Sequence, residues 1–189
     1  RDMMAEVAAT LAFSTIANND KVGVIFFSDK VEKFIPAQKG KTHVLHIIRE
    51  LLSFEPSSSG TDIAQALQYF ANAQKRHCTA FLISDFIGSG TMYKPLLIAS
   101  NRHELNAIQI YDRREAELPN VGLVKFHDAE TGGDLWVDTS IAAVRNEYAK
   151  TWNDNQNELQ QLFTRTGVNN ISIRTDEDYV KALMHLFRC

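Results

Sequence analysis

Apolar and polar positions follow two periods along this chain, and the switches between them mark its elements. Residues 2–18 carry Met3, Val7, Leu11 and Ser14 on one stripe, widened by Met4, Ala8, Ala12 and Ile16. That spacing predicts an amphipathic helix. Its many alanines suit close packing on a sheet, and Asn18-Asn19-Asp20 stop it because these residues tolerate turn conformations. Residues 22–28 (VGVIFFS) are a short continuous apolar run, the pattern of a strand covered on both faces. A turn at Asp29-Lys30 leads into residues 31–35 (VEKFI), which alternate. This predicts an edge strand with one wet face, ended by Pro36. A gap of two residues is too short for a parallel crossover, so the two runs read as a hairpin.

Residues 42–54 and 61–73 both repeat apolar positions at helical spacing, and a polar loop, EPSSSG, separates them. Thr61 sits at the start of the second helix. Lys75-Arg76-His77 suit its far end, where cations complement the helix dipole. Residues 79–86 (TAFLISDF) form another apolar run, and it ends abruptly in a carboxylate, Asp85. Open α/β sheets bind ligands at the carboxyl ends of their strands, so Asp85 is the first candidate for function. Gly88-Ser89-Gly90 predicts a loop, and residues 92–101 a helix starting near Pro95. Residues 106–112 (NAIQIYD) read as a strand and 113–119 as a charged connector. Two β-forming runs, 121–126 and 135–137, flank a glycine-bearing turn that His127 and Asp128 enter, so a second hairpin is expected there. Residues 141–166 predict a long polar helix with a sparse stripe of Val144, Tyr148, Trp152, Leu159, Leu162 and Phe163, stopped by Gly167. A last strand at 171–174 and a last helix at 176–187 complete the pattern. Helices alternating with buried strands predict an α/β layered fold with a mostly parallel sheet.

Composition narrows this picture. The 189 residues suffice for one α/β domain, 1–189, with a full core, and the 44% apolar and 23% charged content is that of an ordinary globular chain. A net charge of -3 gives no support to nucleic-acid or anionic-membrane binding. Two cysteines, Cys78 and Cys189, make no disulfide framework, and a reducing, cytoplasmic setting is the default. No run reaches membrane-spanning length. Because the chain opens with Arg1 already inside a helical pattern, it is expected to be truncated at its N-terminus.

Few residues carry recognisable chemistry. There is no phosphate-binding glycine loop, metal-binding cysteine pair or nucleophile elbow, and no catalytic residue is assigned. His43 and His46 lie three apart on one helix and read as solvent-exposed histidines. Thr61 and Asp85 are the pair of interest. A hydroxyl and a carboxylate brought to one rim would offer hard oxygen ligands of the kind magnesium takes. The same residues also read as a helix N-cap and a turn residue, and both readings stay open at this point.

The order of helix, hairpin, GTDIAQAL and an apolar strand closing in FLISDF resembles the von Willebrand factor A-like fold, a three-layer Rossmann-like sheet with helices on both faces. More closely, FSTIANNDKVGVIFFSDKVEKFIPAQKG, GTDIAQAL, FLISDF and LVKFHDAETGGDLWVDTS are similar to the bacterial domain-of-unknown-function 58 family, over nearly the whole chain. The resemblance implies a metal-ion-dependent adhesion site built from three loops, with Thr61 matching the second and Asp85 the third. The first motif, Asp-x-Ser-x-Ser, is absent, as is the central strand that would carry it. Magnesium is therefore expected in the intact protein but not in this chain. The missing strand is expected either to let its neighbours close on each other or to leave edges that drive association. The resemblance also implies a protein-interaction role, with a MoxR-type AAA+ ATPase and other von Willebrand factor A proteins as partners. A metal-assisted hydrolase and a structural domain with a degenerate metal edge are the alternatives.

Overall fold

The structure is a computed structural model that describes residues 2–58, 60–87, 91–127 and 133–186, with only the backbone of His127. The predicted loop at Gly88-Ser89-Gly90, the turn at 128–132, Phe187 and Cys189 lie outside the described residues. Along the chain run α1 (Asp2–Ala17), β1 (Val22–Phe27), β2 (Val31–Gln38), α2 (Lys41–Ser53), α3 (Ile63–Ala73), β3 (Thr79–Ser84) and α4 (Tyr93–Arg102). They are followed by β4 (Glu104–Tyr111), α5 (Arg113–Ala116), β5 (Leu123–His127), β6 (Asp134–Asp138), α6 (Ala142–Thr166), β7 (Asn169–Arg174) and α7 (Tyr179–Leu186).

The apolar runs became parallel strands. β4 lies between β3 and β7, parallel to both, with Leu82 opposite Ala107 and Ile108 opposite Ile171. Because side chains alternate across a strand, each face of this sheet carries its own core. On one face Leu82, Leu105 and Ala107 pack with Ile63 and Leu67 of α3, Leu96 of α4 and Phe163 of α6. On the other, Ile108, Ile110 and Ile173 pack with Val7 and Leu11 of α1 and Leu183 of α7. Helices thus cover both faces of a three-stranded parallel sheet. Each fully buried Ile or Leu contributes about 1.5–3 kcal/mol, so Leu96, Ile108 and Ile173 are among the anchors. The long helix α6 is held at its C-terminal end, where Phe163 and Thr166 are buried, and Gly167 ends it in the left-handed conformation.

β1 and β2 form a separate antiparallel hairpin over a third cluster that includes Phe26, Ile35, Val44 and Ile47. Pro36 does not end β2, as the alternation predicted, but lies inside it. Val24 pairs with Ile35 and Val22 with Gln38, so Gly23 alone faces two residues, Pro36 and Ala37. At this bulge proline's missing N–H costs nothing. The hairpin closes so tightly there that a Cβ on Gly23 would lie 2.7 Å from the Ile35 carbonyl oxygen. β5 and β6 pair as the expected second hairpin and expose Leu123, Leu135 and Trp136. The charged connector holds a short helix, α5, which the sequence did not announce.

Among the described residues no ladder joins β1 to β3. Both strands instead line one apolar cavity of about 640 Å³, with α1 and α3 also in its wall. Of the two possibilities raised by the pattern, closure of the flanking strands is not what the fold adopts. The cavity also explains why runs that read as fully covered strands are half-buried at Val24, Ile25, Phe81 and Ile83.

Candidate functional site

Asp85 immediately follows β3, at the carboxyl end of the parallel sheet. Its Oδ1 accepts from the Ile87 amide at 3.1 Å, while Ser84 Oγ accepts from the Phe86 amide at 3.1 Å. Two interlocked side-chain turns therefore end the strand. They force Phe86 to φ 59°, a region bulky residues rarely enter and one that costs about 1–3 kcal/mol. Burial of the Phe86 ring offsets the cost: it is 8% exposed and meets Phe163 edge-on, with centroids 5.4 Å apart. From β4 the buried Gln109 donates to the Asp85 carbonyl oxygen at 3.2 Å and accepts from Ser172 Oγ of β7 at 2.8 Å. One side chain thus ties the end of β3 across the whole sheet.

Thr61 is half-buried on the loop before α3, and it is not the helix cap. Asp62 takes that role, its Oδ1 accepting from the Gln65 amide at 2.9 Å. The Asp62 amide donates to the Ser28 carbonyl oxygen at 2.8 Å, at the end of β1. Ser28 Oγ in turn donates to Glu32, which also accepts from the amide and hydroxyl of Ser57. The bonds from Ser57 and Ser28 hold the Glu32 carboxyl below the usual carboxylate range. The polar loop is therefore pinned to the end of β1. Ile63 and Phe86 belong to one apolar cluster, against which Phe27 packs. The segments bearing Thr61 and Asp85 thus border a common cluster, although among the described residues no hydrogen bond joins the two side chains.

Sequence reasoning missed Glu115. Asp112 caps α5 by accepting from the Arg114 amide at 2.8 Å, and this short helix turns Glu115 inward. Its Oε2 is buried without a hydrogen-bond partner. Burial raises the Glu115 carboxyl above its ordinary range, and the charges of Asp85 and Asp112 push the same way. The residue looked like one charge among several in a solvated connector. The only available signal was its position just beyond a strand that ends in an acid.

These side chains set what the rim can hold. Magnesium takes oxygen ligands and keeps several waters, using one or two carboxylates, so Thr61 and Asp85 are of the right type. Their number is small, and among the described residues no group of three His, Cys, Asp or Glu could hold a metal ion. The remaining candidates lie elsewhere. His43 Nε2 is 2.9 Å from the Val22 carbonyl oxygen and His46 lies 3.8 Å from Glu50, so the two histidines serve different neighbours. His43 is half-buried rather than solvent-exposed. Cys78 Sγ lies 3.6 Å from His103 Nδ1 at the opposite end of β3. Burial raises the Cys78 thiol and lowers the buried His103 imidazole, so the pair stays neutral and supplies no activated nucleophile.

A family profile described as "Protein of unknown function DUF58" matches residues 1–158. The chain belongs to this family. It is 28% identical over 184 residues to the uncharacterized protein Rv1480 of Mycobacterium tuberculosis, covering 95% of this chain and 57% of that protein. It is also 28% identical over 158 residues to the uncharacterized protein MAV169 of Mycobacterium avium, covering 82% of this chain and 92% of that one. The DUF58 chain therefore spans little more than half the length of Rv1480. Two solved structures share its fold. One is the conserved hypothetical protein BatB from Bacteroides thetaiotaomicron, at TM-score 0.55 and 17% identity, with 97% of this chain and 86% of that chain covered. The other is an aerotolerance-related membrane protein from Bacteroides fragilis, at TM-score 0.56 and 19% identity, with the same coverage. Among the described residues of this chain, no helix is long and apolar enough to cross a membrane.

Proposed function

We propose that this DUF58 chain is a non-enzymatic protein-interaction domain that docks its partner at the carboxyl rim of the sheet. The fold is read as von Willebrand factor A-like with its central strand absent. In the intact protein Thr61 and Asp85 contribute to a magnesium-bridged contact with an acidic group of the partner, a MoxR-type AAA+ ATPase working in the cytoplasm with other von Willebrand factor A-like proteins. The observation that carries this reading is the built end of β3. A strained Phe86, two side-chain turns and a buried Gln109 hold Asp85 in place, and backbone strain of this kind clusters at functional sites.

The test is capture of the purified ATPase by the intact protein, with and without magnesium. Capture that needs magnesium and falls at least about tenfold in Asp85→Ala, the loss of a contact worth about 1.4 kcal/mol, supports the reading. Capture indifferent to both overturns it. The 189-residue chain alone should show no micromolar magnesium affinity by isothermal titration. One observation favours a second reading: the Glu115 carboxyl, raised by burial and by the charge of Asp85 and with its Oε2 buried without a hydrogen-bond partner, is what a metal-assisted hydrolase would use as its base. Phosphatase or esterase turnover that disappears in Glu115→Gln would favour it over docking.

A further inference from the structure

We propose that the groove between α3 and α4 docks an amphipathic helix of a protein partner, laid antiparallel to both and carrying acids in its first turn. The groove measures about 270 Å³. Leu67 and Ala71 of α3 and Pro95 of α4 are buried and form its floor. Gln68 and Asn72 stand on the α3 side, one turn apart, and Ile98 and Arg102 stand on the α4 side. Ile98 is 49% exposed, and none of the lining residues is acidic. The two helices are 11 and 10 residues long, so the groove can follow about 15 Å of an occupant, roughly three turns. Large apolar side chains at i, i+4 and i+7 of a docked helix would reach its floor.

Charge fixes the direction of the occupant. α3 and α4 lead into β3 and β4, which are parallel, so both helices end at the edge of the sheet opposite Asp85. There Arg102 Nη1 donates to the Ala71 carbonyl oxygen at 3.4 Å, across the end of α3. Lys75-Arg76-His77 lie alongside: the His77 and His103 rings are 6.4 Å apart, and the Glu104 amide donates to the Cys78 carbonyl oxygen at 3.0 Å. Among the described residues no ion pair engages Lys75, Arg76 or Arg102. An antiparallel helix brings its N-terminus to these cations, and acids in its first turn suit both the cations and its own dipole. A second copy of the chain is the weaker source. Its α7 exposes Val180 and Met184 one turn apart, just after Asp176, Glu177 and Asp178. Those acids are already paired with Arg174 and Lys181.

The probe is a fluorescent peptide of about fifteen residues, with two acids in its first turn and leucines at i, i+4 and i+7. It is titrated against the intact protein and followed by anisotropy. Binding should saturate, and Ile98→Asp, which puts a charge in the groove, should weaken it at least about tenfold. Arg102→Glu should weaken it at least about threefold, and should bind a peptide with lysines in place of the acids better than wild type does. If Arg102→Glu does not fold, Lys75→Glu with Arg76→Glu carries the charge swap. Absence of saturable binding overturns the proposal. So does equal binding by Ile98→Asp, by a peptide with its leucines moved off helical spacing, or by the lysine peptide on wild type. Self-association of the intact protein that Ile98→Asp abolishes in sedimentation also overturns it, because it assigns the groove to a second copy.

Discussion

Gln109 offers the sharpest check on how the rim is built. It is 3% exposed, donates to the Asp85 carbonyl oxygen and accepts from Ser172 Oγ. Gln109→Leu keeps most of the side-chain volume and removes both bonds. Each is worth a net 0.5–1.5 kcal/mol, so the expected loss is about 1–3 kcal/mol. For a domain of this size each kcal/mol lowers Tm by about 2–4 °C. Gln109→Glu should be worse at neutral pH, since an ionised carboxylate cannot donate to Asp85 and is costly to bury. A buried carboxyl has a folded pKa above its unfolded one. Its penalty is therefore greatest at neutral pH and shrinks as pH falls through the folded value. Urea unfolding followed by far-ultraviolet circular dichroism at pH 7 and pH 5 separates these cases. If the Leu variant matches wild type, or the Glu variant matches Leu at both pH values, Gln109 is not what ties β3 to β7.

The bulge and the buried acid Glu115 give two further expectations. Gly23→Ala drives a Cβ to 2.7 Å from the Ile35 carbonyl oxygen and 2.8 Å from the Ala37 nitrogen. Both are backbone atoms that cannot swing away, so a loss of about 1–3 kcal/mol is expected from the urea midpoint, and an unchanged midpoint would mean the hairpin is looser than described. Glu115 has a folded pKa above its ordinary value, so its ionisation costs stability as pH rises through that window. Glu115→Gln should therefore be more stable than wild type at pH 7, with the gain vanishing at acid pH in thermal melts. A gain that persists at pH 3 would show that something other than charge is responsible.

Much of this architecture could be read before any coordinates, because its strands announce themselves. The runs around Val24, Phe81 and Ile108 are short, apolar and bounded by turn residues, and each became a strand. Helices fell within a few residues of their stripes for the same reason. What escaped the pattern depended on neighbours distant in the chain. Pro36 reads as a terminator until Gly23 opposite it supplies a bulge. Thr61 and Asp62 both belong to the residue types that cap helices, and the bond that Asp62 Oδ1 accepts from the Gln65 amide decides between them. Glu115 is invisible because its burial comes from α5, a helix too short to leave a periodic signature. Asp85 was legible as a rim residue, but the strain at Phe86 and the Gln109 tie were not, since both arise from packing.

The cavity and the rim are physically one problem. β1 ends at Ser28, which holds the Thr61 loop through the Asp62 amide, and β3 ends at Asp85. No ladder fixes the spacing of these two strands among the described residues. The helices packed over them set it, through apolar contacts that tolerate sliding better than hydrogen bonds do. A cation bridging Thr61 and Asp85 in the intact protein would fix that spacing, and by linkage it would also oppose local opening of the strands that carry the two segments. Saturating magnesium should therefore slow amide exchange at residues 22–27 and 79–84 of the intact protein, and exchange unchanged by magnesium would show that no cation bridges the two segments.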